Sequence, residues 1–247
     1  MSGHSKWATI KHKKAALDAK RGKVFTRIIK ELMIAARSGG DPDGNPRLRT
    51  AVAAAKAVSM PADNIKRAIM RGTGELEGGQ IDELVYEGYG PGGAAIVAFV
   101  ATDNKNRTVS EIRHVFSKNG GNMGEPGSVA WMFDRKGQIL IEGDKADEET
   151  LMNLVLEAGA DDLRNDGDNW EVLTPPENLI AVQDALAAAK IPVVEAQQAM
   201  IPKNTVPIES KNVAALMRMV DALEEHDDVQ SVFGNYEIDD KELEALA

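Results

Sequence analysis

The chain has 247 residues, 43% hydrophobic, 28% charged and 4% aromatic, which implies two or three domains with aliphatic cores and excludes disorder throughout. The absence of cysteine excludes disulfides, thiolate metal sites and cysteine nucleophiles, and fits a reducing, cytoplasmic setting. The net charge of -10 argues against a polyanionic partner until it is divided: residues 1–74 hold 16 basic and 5 acidic residues, net +11, whereas residues 75–247 hold 13 and 34, net -21.

The opening MSGHSKWATIKHKK lacks an apolar run, and no stretch approaches the roughly 18–20 apolar residues of a membrane span, so no membrane partner is expected. Residues 1–21 read as a mobile arm or a separate segment, because helical phase continued backwards from the next segment puts Lys14 and Arg21 on the apolar side and Gly22 interrupts. Over residues 23–37, Phe25, Ile28, Ile29, Leu32, Ala35 and Ala36 recur at helical spacing up to Gly39-Gly40. Asn45-Pro46 caps a second helix carrying Leu48, Val52 and Ala55 on one face. Ser59, before Met60-Pro61, opens a third, with Ile65 and Ile69 facing one way until Gly72. The first 81 residues thus form a basic helical module.

Beyond the loop 72–82 the texture becomes α+β. Strand 95–101, helix 107–118 and strand 128–133 make one β-α-β unit. Strand 138–141, helix 147–158, strand 170–173, helix 176–189 and strand 193–201 make a second, and helix 211–224 with strand 229–236 closes the chain without a partner of its own. The pairs 178–201 and 212–238 resemble each other weakly, each a helix, a short turn and an alternating strand. A nested arrangement follows: residues 82–134 with 207–238 form one α/β domain, residues 135–206 are inserted into it, and residues 239–247 are an acidic tail. A competing local reading makes residues 128–141 one hairpin turning at Lys136-Gly137.

Residues 6–30 carry nine cations, Lys6, Lys11, Lys13, Lys14, Lys20, Arg21, Lys23, Arg27 and Lys30, against Asp18. Lys23, Arg27 and Lys30 form a helical stripe beside the apolar face, with Arg47 and Arg49 adding charge and Lys66, Arg67 and Arg71 extending the field. Such a density suits phosphate backbones, with sequence-tolerant, salt-dependent binding, and Trp7, near His4 and His12, suits stacking on an unpaired base. The bland alternative is a solvated helix face and basic tail. The run Tyr86 to Gly93 lacks the Gly-Lys-Ser/Thr of a phosphate loop and leads into a strand; Tyr89, Gly90 and Pro91 there, and Met123 in the glycine-rich loop 119–127, are the candidate contact loops, a plain connector being the alternative. Asp161, Asp162, Asp166 and Asp168 lack calcium-loop spacing, and the histidines His4, His12, His114 and His226 are dispersed, so no metal, cofactor, small-molecule substrate or catalytic apparatus is expected. The ten acids of residues 221–247 read as a solvated helix and tail that orients polyanions towards the basic module.

The stretches GHSKWATIKHKKAALDAKRGKVFTRIIKEL, GDPDGNPRLR, YEGYGPGGAAI, NRTVSEIRHVFSKNGGNMG and GSVAWMF together resemble the YebC/PmpR family. The resemblance spans essentially the whole chain. It implies an N-terminal three-helix domain followed by two ferredoxin-like α/β domains, one inserted into the other. It also implies a non-enzymatic regulator of gene expression. Members of the family are known as DNA-binding transcriptional regulators, while relatives, including a mitochondrial activator of cytochrome oxidase subunit synthesis, act in translation on the ribosome. Both partners, DNA and ribosomal RNA, remain open at this point.

Overall fold

The structure, a computed structural model, describes residues 21–166, 169–239 and 241–242, with side chains undescribed at Arg21 and Asp166. Helix α1 (Arg21–Ala36) buries a continuous turn, Leu32 to Ala36, against α2 (Pro46–Ala57) and α3 (Ala62–Gly72). Asn45 does the work expected of a cap and more: its Oδ1 accepts the Leu48 N–H at 3.1 Å, and its amide donates to the carbonyls of Ala35 and Gly39, tying α2 to the end of α1. The start of α3 differs from expectation. Ser59 takes a left-handed φ of 58° in the preceding turn, and Pro61 occupies the cap position without any side-chain bond; its fixed φ replaces the hydroxyl cap.

The first sheet contains β1 (Asp82–Tyr89), β2 (Ala95–Thr102), β3 (Asn122–Met123) and, from the far end of the chain, β9 (Val229–Gly234), in the order β3-β1-β2-β9, all antiparallel. Helices α4 (Lys105–Lys118) and α7 (Ser210–Glu224) cover one face, where Ile96, Ala98 and Val100 of β2 meet Ile112, Phe116, Leu216 and Val220. The second sheet, in the order β5-β6-β4-β7, contains β4 (Phe133–Glu142), β5 (Asp162–Asp166), β6 (Asn169–Thr174) and β7 (Glu195–Pro202), with α5 (Glu148–Glu157) and α6 (Leu179–Ala188) packed on its core strands. It has the β-α-β-β-α-β chain order of a ferredoxin-like fold and interrupts the first unit between β3 and α7. The first unit shares this layering with the chain order β-β-α-β, then α-β. A short parallel pair, β8 (Val206–Pro207) with β10 (Tyr236–Glu237), ties the returning linker to the chain end. Among the described residues no helix is long and apolar enough to cross a membrane.

Two expected elements change. Residues 128–132 do not form a strand: Ala130–Met132 is a 3-10 turn, and the Glu87 carboxylate takes the Gly127, Val129 and Ala130 N–H groups that a ladder would need. The strand beside β1 is β3 instead. Nor does the chain turn at Lys136-Gly137, because Gly137 lies opposite Thr174 on one side and Gln198 on the other, within a continuous β4. Sequence reading also passed over β1, whose Glu83, Glu87 and Gly88 dilute the strand signal, and β5, whose aspartates do the same.

The second face of the first sheet is divided between the other two units. Ala101 joins Ile81 in the core of the helical module, whereas Ala95 and Val97 meet Val129, Phe133 and Met200 at the root of the inserted domain.

Candidate nucleic-acid interface

Lys6, Lys11, Lys13, Lys14, Lys20 and the side chain of Arg21 lie outside the described residues, as does the Trp7 stacking expectation. The remaining cations proposed for phosphate contact are all described, and each has a partner within the chain. Lys23 Nζ donates to the Glu225 carbonyl at 2.7 Å, Arg27 donates to the Glu224 carbonyl, and Lys30 Nζ donates to the Asp227 carbonyl at 2.9 Å and to Asp228 Oδ1 at 2.5 Å. This corrects the expected free stripe. Lys23 and Arg27 meet the partial negative charge at the C-terminal end of α7, and Lys30 meets the turn just beyond it. Burial pulls the Arg27 guanidinium down, opposed by the charges of Glu224 and Asp227. The acidic run expected to be solvated is therefore partly a docking surface for α1.

Asp228 anchors this seam. Only 3% exposed, its carboxylate accepts from Lys30 at 2.5 Å, Thr108 Oγ1 at 2.6 Å, Arg107 at 2.8 Å and Thr102 Oγ1 at 3.2 Å. Burial pushes the carboxyl up, but the bonds from Lys30, Thr108 and Arg107 outweigh it and hold the group well below the usual carboxylate range. Glu111, His226 and Asp228 approach closely enough to hold a metal ion. Within the cluster, His226 Nδ1 accepts the Asp228 N–H at 3.1 Å, Nε2 lies 2.9 Å from Glu111, and Asp228 faces two cations. The cluster is a structural joint.

Arg47 bridges Glu31 at 2.7 Å and Glu83 of β1 at 2.7 Å, and Arg49 reaches Asp184 of α6 at 3.8 Å. These two also link the helical module to the α/β units. The cations that remain open are on α2 and α3. Lys56, Lys66, Arg67 and Arg71 are exposed and meet no acidic side chain among the described residues, Arg67 bonding only Asn64 Oδ1 and the Asp63 carbonyl. Arg67 and Arg71 sit one turn apart on α3.

The candidate loops divide. Gly90 and Pro91 are buried: a Cβ at Gly90 would stand 2.6 Å from Met219 and 2.8 Å from Leu216, and Gly92 follows with a φ of 78° that favours glycine. Their role is to bring the β1–β2 turn down onto α7. Met123, read as part of a contact loop or of a plain connector, pairs with Gly88 in β3 and packs partly into the helix-side core. Tyr89 remains exposed. A feature that sequence reading missed lies beside it: Trp131, 66% exposed, donates its indole N–H to the Ser128 carbonyl at 3.1 Å, and the Tyr89 hydroxyl lies 3.4 Å from the same oxygen. The signal was present in GSVAWMF, but an apolar run reads as a buried strand.

Known proteins agree with this architecture. The chain is 68% identical over its full length to a "Probable transcriptional regulatory protein" of Solibacter usitatus, covering 100% of both, and 62% identical over the same span to one of Koribacter versatilis. A crystal structure of a conserved hypothetical protein from Aquifex aeolicus superposes with a TM-score of 0.88 at 46% identity, covering 95% of this chain and 98% of that one. Residues 5–75 match the TACO1/YebC N-terminal domain and residues 81–236 the TACO1/YebC second and third domain, and the chain therefore belongs to the TACO1/YebC family.

Proposed function

We propose that this protein is a non-catalytic regulator of gene expression that binds nucleic acid through its N-terminal module, with DNA as the partner a transcriptional regulator, as its relatives are named, would engage. The observation that carries the reading is the set of exposed cations Lys56, Lys66, Arg67 and Arg71, unneutralised by described acids, in a module of net +11 attached to a remainder of net -21. Contact through these side chains and the arm cations would be to phosphate, which tolerates many sequences. The acidic α/β units repel the same polyanion and so orient it. A second reading, ribosomal RNA as the target, is favoured by the exposed Tyr89–Trp131 pair, because folded RNA offers the unpaired bases that aromatic side chains recognise.

The test compares one protein preparation on promoter duplex, scrambled duplex and ribosomes at a single salt concentration. A preference for promoter supports transcription, and cosedimentation with ribosomes without promoter preference supports translation. The triple variant Lys66→Glu, Arg67→Glu, Arg71→Glu should weaken binding to either target and lower the salt slope by about one unit for each phosphate no longer neutralised. Unchanged affinity in that variant would remove α3 from the interface.

A further inference from the structure

The geometry points to the Trp131 indole as a stacking platform for one unpaired nucleobase, with Tyr89 at its side and Lys203 placed for the adjoining phosphate. The inference rests on the nucleic-acid reading above and names a second binding surface, on the opposite side of the chain's charge division.

Trp131 is the most exposed of the large apolar side chains among the described residues, at 66%. Its one polar atom is already satisfied by the Ser128 carbonyl at 3.1 Å, so what it offers to solvent is ring surface. Exposing an indole forfeits the largest burial gain any side chain can make. Its backbone is also held unusually well. The Glu87 carboxylate, 6% exposed, receives the N–H groups of Gly127 at 2.7 Å, Val129 at 2.8 Å and Ala130 at 2.7 Å, and the Glu87 carbonyl accepts from Gly124 at 2.8 Å. Val129 is fully buried on one side of the tryptophan and Phe133 is 5% exposed on the other. An exposed ring on a fixed backbone loses little freedom on binding.

Charge selects the occupant. Lys203 Nζ lies 3.1 Å from the Trp131 carbonyl and 3.5 Å from Asp134, both members of that ion pair being about half exposed at 48% and 57%. Such a pair is weak and readily exchanged. A planar base on the indole would bring its own phosphate within reach of that ammonium, whereas an apolar protein surface would leave both charges facing a dry contact. Aromatic side chains stack on bases of any sequence, with a large share of affinity per base.

The experiment uses the full chain and a mixed-sequence single-stranded RNA carrying 2-aminopurine, beside a duplex of equal length. With the wild-type protein, 2-aminopurine emission should be quenched on binding. Trp131→Ala should abolish the quench and lower single-strand affinity about tenfold with duplex affinity unchanged, and Trp131→Phe should restore most of both. Single-strand binding and quench unaltered by Trp131→Ala would overturn the platform while leaving the charge-based function standing. Equal loss on single strand and duplex, or a change in oligomeric state by sedimentation in Trp131→Ala, would likewise overturn it. A wild-type protein that binds neither probe would overturn both readings together.

Discussion

At the scale of single residues, Asp228 and Glu87 use the same physics for different ends. Each is a nearly buried carboxylate kept ionised by donors, Asp228 by side chains from three separate segments and Glu87 by backbone N–H groups of one loop. For Glu87, burial raises the carboxyl and the bonds from Gly127, Val129 and Ala130 bring it below its ordinary value. Both groups have a folded-state affinity for protons lower than in the unfolded chain. Their stabilisation is thus fully present above the unfolded carboxylate value of about 4 and is lost as pH falls through the lower folded value. Asp228→Asn should lower unfolding stability by on the order of 3 kcal/mol, since it leaves Lys30, at 13% side-chain exposure, without its counter-charge. Urea melts at pH 7 and at pH 3 test this: the gap between wild type and variant should be wide at the first and narrower at the second. Glu87→Gln should leave the fold intact but raise amide exchange at Gly127, Val129 and Ala130, measured by hydrogen–deuterium exchange, because one carboxylate serves all three.

At the scale of elements, helix α1 carries the main lesson about what can be read from sequence. Its apolar phase is plain in Ile28, Leu32 and Ala35, and so is the cationic phase in Lys23, Arg27 and Lys30. What those cations meet is not. The carbonyls that receive them lie at the end of α7 and in the turn just beyond it, with separations of 202, 197 and 197, and a backbone carbonyl, unlike an acidic side chain, leaves no mark in composition. Replacing all three by glutamate is therefore expected to act on the seam first. Calorimetry of that variant should resolve a separate, earlier transition for the helical module, while circular dichroism at low temperature retains its helix content. The strands follow a similar logic. β2, apolar from Ala95 to Ala101, was legible because both of its faces are covered. β1 was not, because Glu83 serves Arg47 and Glu87 serves a loop, and these carboxylates with Gly88 dilute the apolar signal that Leu84 and Tyr86 carry on the core face. Trp131 fails in the opposite direction, an apolar residue where the structure wants exposure. Such exceptions to pattern gather where segments distant in the chain meet, or where a surface is left open to a partner.

Over the whole molecule, the division of charge survives the relocation of the basic stripe. Part of the positive module closes against the acidic remainder at α7, and Arg47 and Arg49 do the same at β1 and α6. Among the described residues this leaves Lys56, Lys66, Arg67 and Arg71 as the exposed cations of the module that meet no acidic side chain. Binding to duplex should then weaken steeply with salt, by about 10³-fold between 50 and 200 mM if roughly six phosphates are engaged. Fluorescence anisotropy across that range measures it, and a flat dependence would point to protein partners.

The closure of the first sheet by β9 carries a consequence for how the chain is made. Ala95 donates its N–H to Asn235, 140 residues further on, so during synthesis β2 emerges with one edge unpaired and keeps it so until β9 has been made. The strand left waiting, AIVAFVAT, is the kind that pairs with its copies in another nascent chain. Meanwhile the inserted domain has all four of its strands between Phe133 and Pro202, themselves register partners, and can be complete before β9 exists. Vectorial production thus orders assembly: the guest domain folds first at the root of the host sheet, and α7 and β9, made after it, seal the host and receive α1.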